Sequence, residues 1–297
     1  MPIAHEFEYF KPQNLSEAIG IMSRFGNDAR CLAGGTDLIV HLKENVASPK
    51  AVVDVKGIAE LKTLSLKGEE LRIGALVTFS ELIHSTEVQK NFPVLVEASE
   101  TVASVGVRNR ATLVGNLCSA VPSLDAAPAL LIYDAQVVVE GKNGERTISI
   151  HDWFTGPKKT ARASDEIVKF VVLRKPANKS ASSYVKLGRY RGEDLAQAGV
   201  AVMILDDNSY RVALCALGPV AKRAKSVEAV LAGKVPSEKL FEAAAQSVLA
   251  DISPISDIRA SKEYREHMAV VMTRRALAAA FARFSGKTVD ASSILGG

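Results

Sequence analysis

Two stretches of the chain concentrate the residue types that hold a phosphate-bearing ligand. The first is Cys31-Leu32-Ala33-Gly34-Gly35-Thr36-Asp37-Leu38. Its two glycines stand between a strand-like run and a helical one. They permit backbone angles closed to other residues and let main-chain N–H groups come close to an anion. A helix start beyond them adds partial positive charge, which suits a pyrophosphate. An ordinary tight turn carries the same pattern, and a single glycine pair does not separate the two readings.

The second stretch is Arg108-Asn109-Arg110-Ala111-Thr112-Leu113-Val114-Gly115-Asn116, continuing to Asp125. Thr112 and Asn116 bring a hydroxyl and an amide, Gly115 allows close backbone approach, and Asp125 is an acceptor for ribose hydroxyls. The alternative is a long structural loop with Asx turns. Irregular segments of this length are uncommon inside compact domains unless they carry function. Neither stretch is the dinucleotide G-x-G-x-x-G fingerprint, and the chain has no P-loop and no G-x-S-x-G elbow. The residues alone therefore point to an anion or nucleotide site.

Other chemistries find little support. The three cysteines, Cys31, Cys118 and Cys215, are far apart and lack C-x-x-C spacing. That disfavours a disulfide framework, a zinc site or an iron–sulfur cluster held by this chain alone, and each is expected as a buried small hydrophobe. None of the five histidines has metal-ligand spacing to another; His41 and His267 are expected on helix faces. No residue stands out as a general acid or base, and Glu193 and Asp194 in the loop 191–195 are expected to be solvated. Lys+Arg 37 against Asp+Glu 33 gives a net charge of +4 with no basic run, too balanced for nucleic-acid binding. The start, Met1-Pro2-Ile3-Ala4-His5-Glu6-Phe7, is not that of a signal peptide, and no apolar run is long enough to span a membrane. A cytoplasmic location is the expectation.

The elements that must position the two stretches follow from periodicity. A chain of 297 residues with 47% hydrophobic content suggests two domains. Asn14 and Glu17 form a capping-box pattern for a helix to Phe25, with Leu15, Ala18, Ile19, Met22 and Phe25 on one stripe. Ala29 to Ala33 reads as a strand, Leu38 to Leu42 as a short helix and Ala51 to Asp54 as a buried strand. A second block begins near Leu61. It has an extended run Glu70 to Gly74, a helix capped by Thr78 and Glu81, and helices Pro93 to Ala103 and Ala126 to Tyr133. Gln136 to Glu140 and Arg146 to Ile150 flank the hairpin signal Gly141-Lys142-Asn143-Gly144, and Glu166 to Leu173 is a further strand. After Pro176 the composition changes. Asn178 to Ser183 reads as a linker, followed by strands Ser183 to Leu187, Ala198 to Leu205 and Arg211 to Leu217, the last two joined by a turn at 206–209. A long helix from Ser261 to Phe284 shows Tyr264, Met268, Val271 and Met272 on one face. The second domain is thus expected to be a small antiparallel sheet backed by helices, α+β in class.

At the two ligand stretches the sequence resembles the FAD-binding medium subunit of the xanthine dehydrogenase and carbon monoxide dehydrogenase family of molybdenum hydroxylases. The likeness covers nearly the whole chain. Ala33-Gly34-Gly35-Thr36-Asp37-Leu38 looks like the family's first FAD motif. Thr112-Leu113-Val114-Gly115-Asn116, preceded by Val107-Arg108-Asn109, looks like its second. The run Asn116-Leu117-Cys118 through Pro122 to Asp125 and Pro128-Ala129-Leu130 follows the family's pattern. Ser256-Asp257-Ile258-Arg259-Ala260-Ser261, Tyr264-Arg265 and Arg274-Arg275-Ala276-Leu277 resemble the signature of its C-terminal domain. Val114 replaces a glycine and Ala111 the glycine usual before Thr112, so both positions must avoid glycine-only angles if the loop keeps its shape.

The resemblance implies an α+β fold, with a two-subdomain FAD-binding domain of the xanthine dehydrogenase flavoprotein type at 1–176 (subdomains about 1–57 and 58–176). A small C-terminal α+β domain at 177–297 would follow. It implies FAD with its pyrophosphate over the 33–37 turn, contacts from Cys31 through Leu38 and from Thr112 through Asn116, Asp125 at the adenosine side, and contributions from Val102, Val168 and Lys186. Taken by itself, Lys186 reads as a solvated charge on an edge strand. In the family, substrate is hydroxylated at a molybdenum cofactor in a large subunit, and electrons pass through two 2Fe–2S clusters of a small subunit to FAD and an external acceptor. This chain has no cysteine set for such clusters, so the metal centres are expected on partner subunits, as a dimer of heterotrimers. The resemblance disfavours an added 4Fe–4S cluster for the same reason. The alternatives are a free-standing flavin oxidase or dehydrogenase and a nucleotide-binding module without redox function.

Overall fold

The computed structural model describes residues 3–190 and 192–289. The start of the chain at Met1-Pro2 and Arg191 of the 191–195 loop lie outside the described residues.

Three main sheets organise the chain. The first is parallel and three-stranded, with Ala51–Asp54 between Glu8–Phe10 and Ala29–Leu32. Its central strand is buried at every position, as expected where both faces are covered. The helix Leu15–Phe25 crosses over one face. Asn14 caps it by accepting the Glu17 N–H at 2.9 Å, while the Glu17 carboxylate reaches the N–H of Gln13 at 2.8 Å rather than that of Asn14. Leu15, Ala18, Ile19 and Met22 are buried, as their spacing predicts.

The second sheet is antiparallel and five-stranded, in the order Leu64–Lys67, Glu70–Gly74, Ile167–Arg174, Gln136–Gly141, Gly144–Ser149. Short helices fill the long excursion between Glu70–Gly74 and Gln136–Gly141. Thr78 and Glu81 form the predicted reciprocal capping box of Phe79–His84. The helix expected to run to Ala103 stops at Glu100. The chain then turns through Ala103, which has φ 41, a left-handed conformation no helix continues through.

The third sheet holds Ser180–Leu187, Ala198–Leu205, Tyr210–Cys215 and Lys222–Arg223, all antiparallel. The expected linker is shorter than its composition suggests, because the first strand starts at Ser180. The polar residues there are used: the buried Ser183 hydroxyl donates to the Ala276 carbonyl at 2.7 Å. The long helix spans Lys262–Phe284 with Ser261 as its cap. Its buried stripe runs through Arg265, Ala269, Met272 and Ala276, whereas Tyr264 is exposed. The apolar stripe predicted through Tyr264 is therefore rotated, because a buried arginine and small alanines make the contact.

This third sheet is covered on both sides. Val200, Val202 and Ile204 face its own helices, and Ala201, Met203 and Leu205 join the core of the first part of the chain. Alternation along one strand thus welds the two halves together. Among the described residues no helix is long and apolar enough to cross a membrane.

Candidate functional site

The strand Ala29–Leu32 leaves the first sheet and enters the turn that the sequence singles out. Gly35 there has φ 78, in the left-handed region that favours glycine. Gly34 is required for a different reason: a β-carbon on it would lie 2.0 Å from the Arg110 carbonyl oxygen and 3.1 Å from the Ala111 Cα. The first stretch is therefore packed, backbone on backbone, against the second. The Ser119 hydroxyl also donates to the Asp37 carboxylate. Cys31 is half-buried beside Met22, and burial pushes its thiol up to about 11, so it stays neutral and inert.

The second stretch is more ordered than a long irregular loop. Val105–Arg108 and Leu113–Ser119 are short helices, capped by Ser104 and Thr112. Thr112 accepts the Gly115 N–H at 2.9 Å through Oγ1. The Phe79 N–H donates to the Ala111 carbonyl at 3.0 Å, and the Leu113 N–H to the Val77 carbonyl at 3.2 Å, fixing the stretch to the segment that opens the helix Phe79–His84. Val114 and Ala111 are both buried, and neither has a positive φ. The lost glycines therefore carry no strain: a helical position takes valine, whose side chain fills core. Asn116 Oδ1 is buried without a hydrogen-bond partner among the described residues.

Between the two stretches lies a cleft of about 280 Å³. Gly34 forms one wall; Thr78, Arg110 and Thr112 form another; Lys56 and Lys62 complete it, and no carboxylate lines it. Lys56 pairs at 2.8 Å with Asp54, which also accepts the Tyr9 hydroxyl. Burial opposes ionisation of Asp54, yet Lys56 and Tyr9 hold its carboxyl below the usual range. The lysines and Arg110 were not singled out from the sequence. Lys56 follows the buried strand end Asp54 and Arg110 lies inside the quoted stretch, which are usable signals; Lys62 has none.

The other expected site residues lie outside that cleft lining. Asp125 is not open to a ribose in the described residues: it is 6% exposed, and accepts Lys186 Nζ at 2.8 Å and the Tyr184 hydroxyl at 2.8 Å. Burial raises its carboxyl above the ordinary value, against the pull of Lys186. Lys186 lies on an edge strand but is buried rather than solvated, and donates to the Thr101 carbonyl at 2.8 Å. Period-2 alternation explains this: Tyr184 and Lys186 both point at the first domain. Val102 and Val168 are buried, the latter beside a register shift in Ile167–Arg174. Glu193 is exposed as expected. Asp194 is not: it is buried, accepts the Arg189 N–H at 2.6 Å, and is held below the usual range by the Arg189 guanidinium. Cys118, expected inside, is exposed. Among the described residues, no group of three or more His, Cys, Asp or Glu is placed to hold a metal ion.

The donor set fits a flavin dinucleotide. A doubly charged pyrophosphate matches a cleft lined by Lys56, Lys62 and Arg110, of which Lys56 alone is paired among the described residues, with Asp54 behind the lining, and the orphaned Asn116 amide oxygen awaits a donor. Residues 5–175 match the family described as the FAD binding domain in molybdopterin dehydrogenase, and residues 183–280 match the CO dehydrogenase flavoprotein C-terminal domain. The chain is 34% identical to the carbon monoxide dehydrogenase medium chain of Hydrogenophaga pseudoflava, over 95% of this chain and 99% of that one. It is 32% identical to the xanthine dehydrogenase FAD-binding subunit of Escherichia coli O157:H7, over 94% and 97% respectively. A solved carbon monoxide dehydrogenase from Hydrogenophaga pseudoflava superposes with a TM-score of 0.90, covering 94% of this chain and 98% of that one at 34% identity. Quinoline 2-oxidoreductase from Pseudomonas putida 86 does so with a TM-score of 0.89, covering 96% and 99% at 28% identity.

Proposed function

Since the chain belongs to the family of FAD-binding medium subunits of molybdenum hydroxylases, we propose that it is the flavin-carrying, electron-transferring subunit of such an oxidoreductase complex. The observation that carries this reading is the apposition of Gly34 to Arg110 beside a cleft lined by Lys56, Lys62 and Arg110 with no carboxylate. When bound, FAD supplies a redox centre between the iron–sulfur clusters of a partner and an external acceptor.

This chain's own residues bind and orient that group. Residues 31–38 and 112–116 give main-chain and hydroxyl groups to the pyrophosphate and ribose. Lys56, Lys62 and Arg110 balance the negative charge. Val102, Asp125, Val168 and Lys186 line the remainder, with Asp125 and Lys186 acting as a pre-formed buried pair. No residue acts as a general acid or base. The FAD-binding part extends to about residue 176, with the C-terminal domain beyond.

In this proposal the molybdenum cofactor sits in a large partner subunit and two 2Fe–2S clusters in a small one, assembled as a dimer of heterotrimers in the cytoplasm. Purification from its native source tests the assembly. The expected result is two further chains with molybdenum, iron and acid-labile sulfide, and substrate oxidation only by the whole assembly. Steady oxidation of an organic substrate by the pure chain would instead identify a free-standing flavoenzyme.

A further inference from the structure

Three consecutive carbonyls, of Thr101, Val102 and Ala103, are each held by a cation. Lys186 Nζ donates to the Thr101 carbonyl at 2.8 Å. Arg108 Nη1 donates to those of Val102 at 2.9 Å and Ala103 at 2.8 Å. Ala103 has φ 41, a left-handed conformation that a residue with a β-carbon adopts only at a cost. Arg108 stands at the end of the helix Val105–Arg108, which Ser104 caps directly after this turn, and the guanidinium folds back across it. Two residues further on, the Arg110 carbonyl abuts Gly34. Arg108 thus directly precedes the cleft residues Asn109 and Arg110 in the chain, and touches the turn that Lys186 also touches.

We propose that Arg108 is a positioning residue for the end of the cofactor remote from the pyrophosphate. It holds the turn 101–103 in its strained conformation, and so keeps the Thr101 carbonyl aimed at Lys186 and the Val102 side chain in place. The charged double donation supplies what the left-handed alanine costs. Without the guanidinium, Ala103 relaxes out of the left-handed region, the Thr101 carbonyl swings away, and Lys186 loses one of its two partners. None of 101–103, 125 or 186 lines the cleft beside Gly34, so the pyrophosphate end is untouched. The inference rests on the reading of Val102, Asp125 and Lys186 as cofactor contacts.

The test compares FAD with inorganic pyrophosphate, which shares only the portion placed at the cleft, on the full-length chain with any subunits that co-purify. Arg108→Met is expected to weaken FAD at least about ten-fold while changing pyrophosphate by less than about two-fold. Ala103→Gly in the same background removes the cost of the left-handed position, and is expected to recover at least about a third of the lost affinity on a logarithmic scale. Arg108→Lys keeps the charge and is expected to fall between wild type and Arg108→Met; it is the variant to read if Arg108→Met does not fold. Equal losses for FAD and pyrophosphate, unchanged FAD affinity, or a double variant no better than Arg108→Met would overturn the proposal. Wild-type chain that binds ADP and not FAD would overturn the parent reading instead.

Discussion

Gly34 and Arg110 meet backbone to backbone, so closely that a β-carbon on Gly34 would lie 2.0 Å from the Arg110 carbonyl oxygen. That contact makes one site out of two distant stretches, one leaving the parallel sheet and one fixed by Val77 and Phe79 beside the antiparallel sheet. A backbone oxygen cannot swing aside as a side chain can, so the approach is set by the residue at 34.

Gly34→Ala is therefore expected to cost about 1–3 kcal/mol of folding stability through overpacking, and to weaken FAD binding at least about ten-fold. Gly20→Ala is the control: it lies in the helix Leu15–Phe25 with nothing within 4 Å of its missing β-carbon. That change is expected to stabilise by about 0.5–1 kcal/mol and leave FAD binding alone. Urea unfolding and flavin fluorescence titration read both.

Lys62 is exposed and makes no ion pair among the described residues, yet lines the cleft. Lys62→Ala should change stability by less than about 0.5 kcal/mol. It should weaken FAD at low ionic strength, with the difference shrinking toward 1 M salt as screening shortens. Riboflavin, which lacks phosphate, should bind both proteins alike. Measured dissociation constants at several salt concentrations decide it.

Val114→Gly restores the residue usual at this place in the second motif, and is expected to do harm rather than good. Val114 is 4% exposed inside the helix Leu113–Ser119. Removing a buried valine side chain costs about 1.5–3 kcal/mol, and glycine in a helix costs about 1 kcal/mol more. Denaturant unfolding should show the loss, with no gain in FAD affinity.

Asp257 gives the pH dependence a defined sign. Burial opposes its ionisation, but the Arg259 N–H and the Arg265 guanidinium bring it from 3.8 down to about 2. A group whose folded value is depressed contributes stability that is complete above its unfolded value and is lost as pH falls through the folded one. Wild type should therefore outlast Asp257→Asn above pH 4, and the two thermal midpoints should converge as pH falls toward 2. A constant gap across that range would show that the ion pair to Arg265 contributes nothing through its charge.

The positions legible in the sequence were those where local chemistry decides. Asn14, Thr78 and Ser261 cap the helices that their spacing predicts. The glycines at 34 and 35 mark a tight approach. What escaped was tertiary. Nothing near Asp125 announces Lys186, 61 residues away, or that each would occupy the other instead of solvent. Lys62 looks like any surface lysine until Gly34 and Arg110 close the cleft around it. Residues 104–119 read as irregular because their helices are too short to show a period, Val105–Arg108 and Leu113–Ser119 being only four and seven residues long. Tyr264 shares a helical face with Met268, Val271 and Met272 by spacing, yet the interface takes up Arg265, whose guanidinium donates to the carbonyls of Gln197 and Ala216.

The most direct test of the account is a titration of the purified full-length chain, with any subunits it retains, against FAD. The account predicts saturable binding of one FAD per chain, a bound flavin that a chemical reductant bleaches reversibly, and loss of that binding in Gly34→Ala. A chain that binds ADP tightly but shows no saturable affinity for FAD would contradict it, and would mark a nucleotide-binding module without redox function.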